Sequence, residues 1–251
     1  MKVRDLLAHI DSFAPFSLAE EWDNSGLQVG TLTADISKIA VCLDATVKAV
    51  SEASAQGCNV LLTHHPLIFR PMKRVSDESE QGRTVIEAVK CEVNIIAAHT
   101  NWDKAPGGVN DTLAALLGLR DIEPLGDFGL VGRLKAALSP DELLNRVKVA
   151  WRLSSIDCYG HPAEILRVAL CGGSGAEFWR AAKTHGADIY LTADMKYHEL
   201  SDAVNEGLSI GLINHGEMER ATIPELAKKI SQCGVETITL DTHALPSPLR
   251  I

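Results

Sequence analysis

Short, continuous apolar runs alternate with helix-like segments over most of the chain. Residues 39–43 and 60–63 are such runs, and between them residues 47–55 place apolar side chains at helical spacing before Gly57. Apolar runs of this length, without polar alternation, are typical of strands buried on both faces of a parallel sheet. Residues 94–98 form another run after a second helix-like segment. The chain is therefore predicted to have an α/β fold in which helices join parallel strands.

Several helices are predicted from apolar spacing and from the residues that begin and end helices. The first covers Val3–Phe13 and is closed by Pro15. The polar residues 71–82 are predicted to be a surface loop, followed by a helix at residues 84–90. Two more helices are predicted at residues 110–117, capped by Asn110 or Asp111, and at residues 141–151, introduced by Ser139 and Pro140.

The second half of the chain repeats the first. Residues 39–42 (IAVC) match residues 168–171 (VALC), and residues 57–63 (GCNVLLT) match residues 186–192 (GADIYLT), both at an offset of 129 residues. Two ungapped matches at one offset indicate two pseudo-symmetric α/β halves that arose by internal duplication. The strand before His99 is likewise mirrored by a strand before His215, after a slip of about a dozen residues.

Glycine and proline cluster at residues 124–129, which predicts a domain boundary there. The first α/β domain is expected to contain residues 1–125 together with residues 216–251. The second α/β domain is expected to contain residues 126–215.

Composition narrows the class of protein. Of the 251 residues, 46% are hydrophobic and 23% are charged, which predicts a soluble globular protein. Charged residues stand at the N-terminus where a signal peptide is apolar, so a cytoplasmic location is expected. The net charge of −9 argues against a duplex nucleic-acid partner. The six cysteines form no CxxC pair, so neither a disulfide framework nor a thiolate-metal site is expected.

Polar residues collect at or just beyond the carboxyl ends of the predicted strands, where open α/β sheets place their ligands. Imidazoles mixed with carboxylates suit Zn, Mn, Fe, Co or Ni, and this many ligands exceeds what one catalytic zinc requires. A pair of metal ions is therefore predicted. If a helix begins at His215, Glu219 lies four residues later on the same helical face, and the two could bind one ion or bridge two. The alternative for Glu219 is a solvated carboxylate near a helix N-terminus, and for Asp103 it is a turn or N-cap residue. The residues at these strand ends are His64, His65, His99 and Asp103 in the first half and Asp194, His198, His215, Glu217 and Glu219 in the second.

A glycine-rich stretch, Cys171-Gly172-Gly173-Ser174-Gly175, lies between a predicted strand and a helix. Its backbone N–H groups are a candidate anion cradle, and a tight strand-to-helix connection explains the glycines equally well. The turn-rich residues 22–30 are interpreted either as a functional loop or as a plain connection. The sequence contains no Walker loop, no GxGxxG that opens a helix, no HExxH and no GxSxG.

Taken together, the motifs resemble the Nif-three-like (YbgI-type) family, whose members are widely named GTP cyclohydrolase 1 type 2 homologues. They occur in the family's order over nearly the whole chain. The motifs are Trp22-Asp23-Asn24-Ser25-Gly26-Leu27, His64-His65-Pro66, His99-Thr100-Asn101-Trp102-Asp103, Gly107-Gly108-Val109-Asn110-Asp111, Gly173-Ser174-Gly175, Lys196-Tyr197-His198 and the pair His215 and Glu219.

The resemblance implies a two-domain subunit with a site for two divalent metal ions, usually assembled as a ring-shaped homohexamer. Transferred position by position, the metal ligands are His64, His65, Asp103, His215 and Glu219, with Glu219 as the bridging carboxylate. The resemblance places His99 and His198 as catalytic or substrate-facing residues. It places Asn24, Gly173, Ser174 and Lys196 on the substrate side.

Two positions depart from the family pattern, since Asn214 and Ala193 stand where glycine is common. Asparagine tolerates left-handed backbone geometry, whereas alanine does not. The sequence therefore does not determine the local backbone shape on the substrate side. Neither change removes a metal ligand.

The function implied by the resemblance is that of a dinuclear metal-dependent hydrolase. In its cyclohydrolase form, a metal-bound hydroxide attacks guanine C8, and His99 or His198 moves protons. A purine nucleotide or a phosphoester is the expected small-molecule substrate. The alternative is a non-catalytic, metal-binding interaction or regulatory protein. A nucleic-acid role for a hexameric ring is a third interpretation, which the negative charge disfavours.

Overall fold

The computed structural model describes residues 1–242, which fall into two compact units. One unit contains Met1–Gly108 together with the segment that begins at Ile223, and the other contains Val109–Thr222. The sequence predicted boundaries after residues 125 and 215. The strand Arg120–Leu125 pairs with Gly129–Leu138 in the second sheet, so residues ahead of the glycine-proline cluster already belong to the second unit.

The first unit is a five-stranded sheet with flanking helices. A short 3₁₀ helix, Phe16–Leu18, follows the first helix. The elements are α1 (Val3–Phe13), β1 (Gly26–Val29), β2 (Ile39–Cys42), α2 (Val47–Ala55), β3 (Val60–Thr63), α3 (Glu80–Lys90), β4 (Asn94–Ala97), α4 (Thr100–Lys104), α10 (Ile223–Ser231) and β11 (Thr237–Thr239).

The sheet of the first unit has the strand order β1-β4-β3-β2-β11. Its four strands from β4 to β11 are parallel, and β1 pairs antiparallel with β4 at one edge. Every residue of β2, β3 and β4 is buried, as the unbroken apolar runs predicted. Parallel strands place their carboxyl ends at one edge of the sheet, and His64 and His99 follow β3 and β4 at that edge.

The second unit has a six-stranded sheet. A second 3₁₀ helix, Ala176–Phe178, precedes one of its helices. The elements are α5 (Val109–Leu117), β5 (Arg120–Leu125), β6 (Gly129–Leu138), α6 (Pro140–Ala150), β7 (Ile156–Tyr159), β8 (Ile165–Ser174), α7 (Trp179–Thr184), β9 (Ile189–Ala193), α8 (Tyr197–Asn205), β10 (Ser209–Ile213) and α9 (His215–Arg220).

The sheet of the second unit has the order β5-β6-β8-β9-β10-β7 and repeats the register of the first. Ile39 pairs with Val60 in the first unit, and Val168 pairs with Ile189 in the second, so both partners are shifted by the same 129 residues. In each unit the last parallel strand of this series pairs with an antiparallel edge strand, β1 or β7. The predicted α/β fold is confirmed, and the repeated register is the structural counterpart of the repeated sequence.

Three helices begin earlier than predicted, and one of them, α6, starts at Pro140 instead of residue 141. α3 starts at Glu80, inside the predicted loop, because the Ser79 hydroxyl accepts a hydrogen bond from the Gly82 N–H and caps the helix. α5 starts at Val109, and the Asn110 side chain accepts a hydrogen bond from the Gly172 N–H at 2.8 Å instead of capping α5.

Within residues 1–242, no helix is both long enough and apolar enough to cross a membrane.

Candidate metal centre

The two adjacent histidines of the first unit follow β3 at a bend in the chain. The Thr63 hydroxyl donates a hydrogen bond to the His65 carbonyl at 2.7 Å, which turns the backbone before Pro66. As a result the His64 and His65 rings lie on one side, with centroids 5.0 Å apart, rather than on opposite faces as in a regular strand. The departure from strand geometry that a shared site requires is therefore present.

A third imidazole, that of His99, completes a cluster in the first unit. Its ring centroid lies 5.3 Å from that of His64 and 5.7 Å from that of His65. Each of the three rings offers one nitrogen, and these three nitrogens lie within 4.8 Å of one another. Asp103 lies one helical turn after His99, and its Oδ1 is 3.6 Å from Nε2 of His64. Three nitrogens and a carboxylate so close together form a donor set that fits a divalent transition metal.

In all three rings Nδ1 faces an acceptor. For His64 this acceptor is the Ala98 carbonyl at 3.0 Å, and for His65 it is Oδ1 of Asp44 at 2.7 Å. For His99 it is Oδ1 of Asp23 at 2.8 Å. Metal-ligating histidines usually donate one ring N–H to such an acceptor, which fixes the tautomer and leaves Nε2 to coordinate. The hydrogen bonds at Nδ1 are the observation that best shows that these three histidines fit a metal ion.

Asp23 is the centre of a buried network that orients His99. Its carboxylate accepts hydrogen bonds from the Thr100 hydroxyl at 2.6 Å, the Thr100 N–H at 3.1 Å and the Ser25 hydroxyl at 2.9 Å. Burial raises the pKa of Asp23, but hydrogen bonds from His99, Thr100 and Ser25 outweigh burial and hold this pKa well below its usual range. Asp23 is therefore an anion that holds the His99 ring in a fixed orientation.

The second unit has one imidazole between two carboxylates. Nδ1 of His215 lies 2.5 Å from Oδ2 of Asp194, and Nε2 lies 3.0 Å from Oε2 of Glu219. Glu219 is one turn later on α9 and is buried, which agrees with the predicted shared face. Burial lowers the pKa of His215, but hydrogen bonds with Asp194 and Glu219 outweigh burial and raise it to about 10.

Gly173 lies against this His–Glu pair. It has a φ of +66°, and a Cβ added there would lie 2.3 Å from Oε1 of Glu219 and 3.2 Å from Nε2 of His215. The N–H groups of Gly172 and Gly175 donate to Asn110 and Thr192, and the Gly175 carbonyl accepts from Tyr190. Since these backbone groups bind protein partners, the contacts favour the tight-connection interpretation of this stretch over an anion cradle.

Glu217, the remaining strand-end carboxylate, is buried away from solvent. Its Oε2 accepts hydrogen bonds from the Ser154 N–H at 2.7 Å and the Ser154 hydroxyl at 2.9 Å. These bonds attach α9 to the segment before β7. Glu217 is thus a structural carboxylate between the two predicted ligands of α9, His215 and Glu219.

The predicted substrate-side residues have different surroundings. Lys196 and His198 are exposed at the start of α8, and no hydrogen bond or ion pair joins either side chain to His215 in the described part of the chain. Ser174 ends β8 and pairs with Ala193. The Asn24 amide donates to the Ile68 carbonyl at 2.6 Å, so it joins two loops of the first unit.

The two departures from the family pattern are accommodated without strain. Asn214 has a φ of −65° and caps α9, its side chain accepting a hydrogen bond from the Glu217 N–H. Ala193 ends β9, and the left-handed residue is the next one, Asp194, with a φ of 51°. Neither Asn214 nor Ala193 needs the left-handed geometry that glycine permits.

The sequence does not predict which carboxylates orient the histidines of the first unit. Asp44 was not singled out, and Asp23 was noted only as part of a motif. A usable signal exists for Asp44, which directly follows the apolar run 39–43 and so lies at a strand end. No comparable signal indicates that Asp23 contacts a histidine 76 residues away.

Comparison with known proteins identifies the family of the chain and supports its fold. The model of the Duf34/NIF3 (NGG1p interacting factor 3) family matches residues 1–246. A Clostridium perfringens protein named GTP cyclohydrolase 1 type 2 homolog is 34% identical over 241 residues, covering 92% of each chain. The Helicobacter pylori protein named GTP cyclohydrolase 1 type 2 is 33% identical over 220 residues, covering 87% of each chain.

A solved structure has the same fold. The crystal structure of a Bacillus cereus protein related to NIF3 matches with a TM-score of 0.94 at 23% identity, covering 100% of this chain and 99% of that chain. The family match and the curated relatives confirm the resemblance that the sequence motifs indicated. The chain belongs to the Duf34/NIF3 family.

Proposed function

We propose that the protein is a dinuclear metal-dependent hydrolase of the GTP cyclohydrolase 1 type 2 kind, acting on a purine nucleotide or a related phosphoester. The observation that carries the proposal is the cluster of His64, His65 and His99, in which each Nδ1 is held by an acceptor. The name of the Helicobacter pylori relative supports the reaction class, and its identity of 33% supports a shared site.

The proposed ligand set is the one that the resemblance implies. It consists of His64, His65, Asp103, His215 and Glu219. Zn, Mn, Fe, Co and Ni suit these nitrogen and oxygen donors. Two such ions, when bound, supply Lewis acidity that lowers the pKa of water and stabilises developing negative charge. The resemblance implies that Glu219 would bridge the two ions, and Glu219 is buried with its Oε2 3.0 Å from Nε2 of His215.

The side chains around the ligands have proposed roles in proton transfer and orientation. His99 is the proposed proton carrier, because its imidazole lies beside His64 and its Nδ1 is held by the anionic Asp23. His198 is a second proposed proton carrier and Lys196 a proposed substrate-phosphate contact, and both are exposed on α8. Gly173 and Ser174 are proposed to shape the substrate side. Asn24 is proposed to lie on the substrate side, and its amide also joins two loops by donating to the Ile68 carbonyl. We propose a homohexamer as the assembly.

The decisive experiment is metal analysis followed by a substrate screen. Protein purified aerobically and anaerobically is analysed for bound metal, and the best ion is used to assay GTP, other nucleotides and phosphoesters. About two ions per chain and turnover of GTP or a phosphoester are expected. Metal-replete protein that leaves every one of these compounds unchanged over hours contradicts the hydrolase.

Conservative variants test the ligand set. Asp103→Asn and Glu219→Gln are expected to lose bound metal and to lower kcat/KM by at least about a hundredfold. Glu217→Gln is the matched control, because Glu217 is a buried carboxylate of the same helix whose partner is Ser154. It is expected to keep its metal. Equal metal loss in Glu217→Gln and Glu219→Gln contradicts the assignment of Glu219.

A second candidate function is a metal-binding interaction protein without turnover. The family name, NGG1p interacting factor 3, favours it because the name records an interaction. Asp103→Asn separates the two functions when metal content, turnover and partner capture are measured on the same variant. Loss of metal with every partner and phenotype retained contradicts the hydrolase as the biological function, whereas loss of turnover and phenotype together supports it.

A further inference from the structure

Two large aromatic side chains are exposed beside the histidine cluster of the first unit. Trp22 is 58% exposed and Phe69 is 44% exposed, although side chains of this size are usually buried. Each ring centroid lies 6.2 Å from that of His99, and the Trp22 and Phe69 centroids lie 5.8 Å apart at an interplanar angle of 70°. The rings therefore form an aromatic corner around His99, with much of the indole and phenyl surface in solvent.

The loops that carry Trp22 and Phe69 are fixed to each other by hydrogen bonds. The Asn24 amide donates to the Ile68 carbonyl at 2.6 Å, and the Ile68 N–H donates to Oε1 of Gln28 at 3.1 Å. Nε2 of Gln28 in turn donates to the Asn24 carbonyl at 2.5 Å. A surface whose geometry is set before binding loses less conformational entropy when a ligand binds. These bonds explain why two exposed rings hold a defined position.

A basic segment follows Phe69 directly. Arg70, Lys73 and Arg74 are all exposed and lie within five residues of one another, in a chain with a net charge of −9. Among residues 1–242 none of these three side chains forms an ion pair with a carboxylate. An exposed aromatic surface next to unpaired cations matches a ligand that combines a flat ring with negative charge.

We propose that Trp22 and Phe69 form a stacking subsite for the heteroaromatic base of a nucleotide, and that Arg70, Lys73 and Arg74 bind its phosphates. The inference rests on the proposed function and specifies how the substrate of that site is held. Bases stack on aromatic side chains because every base presents a flat π surface. The basic residues attract phosphate oxygens electrostatically, and this attraction weakens as the salt concentration rises.

Tryptophan fluorescence tests the subsite without any need for turnover. The other three tryptophans, Trp102, Trp151 and Trp179, are buried, so quenching by a stacked base reports on Trp22. Metal-free and metal-replete wild-type protein are titrated with guanosine, GTP and inorganic triphosphate. Saturable quenching by guanosine and by GTP is expected, with no quenching by triphosphate, which instead competes with GTP. Absence of quenching by both guanosine and GTP overturns the subsite.

Variants separate aromatic stacking from general apolar contact. Phe69→Leu keeps an apolar side chain of similar size and is expected to weaken guanosine binding roughly tenfold, whereas Phe69→Tyr is expected to bind normally. Val89→Ala is the control, because Val89 is an exposed apolar residue of α3 in the same unit. Replacing Arg70 and Arg74 by glutamine is expected to weaken GTP binding in a salt-dependent manner and to leave guanosine binding unchanged.

The outcomes distinguish failure of the proposed stacking subsite from failure of the proposed hydrolase function. Saturable quenching that is lost in Phe69→Leu, in a protein that turns over no substrate, supports the subsite and contradicts the hydrolase. Turnover of GTP with an unchanged KM in both Trp22→Leu and Phe69→Leu overturns the subsite and leaves the hydrolase standing. If these two variants change the oligomeric state, measured by light scattering, while guanosine binding is unchanged, the aromatic corner is an interface between copies and the subsite is overturned.

Discussion

The two units share a strand register but place different chemistry at the strand ends. The first presents three imidazoles, each braced through Nδ1, and the second presents one imidazole between two carboxylates. At the repeat offset of 129 residues, Asp44 and His65 correspond to Gly173 and Asp194. The first pair is an orienting carboxylate with its histidine. In the second pair the glycine makes room for Glu219, and the carboxylate orients His215.

The comparison indicates that duplication preserved the positions of polar residues at the strand ends and not their roles. In each unit these polar residues lie at the carboxyl ends of that unit's own parallel strands, because the buried strands consist mainly of apolar side chains. At these ends the side chains are released from core packing, so their types can diverge.

The largest expected effect comes from a comparison of Asp23 and Asp194, two carboxylates that orient histidines and differ widely in burial. The Asp23 side chain is fully buried and accepts several hydrogen bonds, whereas Asp194 is about half exposed. Asp23→Ala is expected to lower the free energy of unfolding by about 3 kcal/mol, because buried donors lose their partner. Asp194→Ala is expected to cost less than about 1 kcal/mol. Urea denaturation of both variants checks this, and equal costs contradict the contrast.

Gly173→Ala tests whether the absence of a Cβ at position 173 leaves the space that the Glu219 carboxylate occupies. The substitution combines a left-handed φ with a contact of 2.3 Å, so a loss of about 2–3 kcal/mol and a lower metal content are expected. Gly186→Ala is the matched control, because Gly186 has a similar φ of +68° but nothing within 4 Å of the added Cβ. It is expected to cost about 1 kcal/mol with normal metal content. Equal metal contents in the two variants contradict the proposed crowding of Glu219.

Asp44→Asn and Asp194→Asn compare the orienting carboxylates directly. Both are expected to weaken metal binding, by roughly ten- to a hundredfold when such a partner of a ligand histidine is altered. Asp44 is less exposed than Asp194, so its substitution is expected to have the larger effect. Competition with a chromogenic chelator measures both affinities. A larger loss in Asp194→Asn contradicts the ranking by burial.

The smallest expected effect concerns the cap of α9. Asn214→Gly, which introduces the residue common in the family, is expected to change the free energy of unfolding by only about a few tenths of a kcal/mol. Asn214→Ala is expected to cost about 1 kcal/mol, because the side-chain hydrogen bond to the Glu217 N–H is lost. Thermal unfolding of the two variants decides this. A larger cost for glycine than for alanine indicates that Asn214 has a different role.

Local patterns in the sequence were enough to predict the buried strands of both repeats and the histidines at their ends. Continuous apolar runs such as Val60–Thr63 are local signals, and the two matches at one offset revealed the duplication before any coordinates. The same local reasoning placed His215 and Glu219 on one helical face, which the structure confirms through their contact of 3.0 Å. These features follow from spacing along the chain, which a sequence records directly.

The hydrogen-bond partners and ring contacts of the histidines are visible in the tertiary structure alone. Asp23 is 76 residues from His99, Asp44 is 21 residues from His65, and Trp22 reaches His99 and Phe69 from another loop. The tertiary structure also shows that Gly173 leaves space for Glu219 and that Asn24 joins two loops through the Ile68 carbonyl. Hydrogen bonds and ring contacts between distant segments depend on the packing of the whole unit, and no local periodicity encodes them.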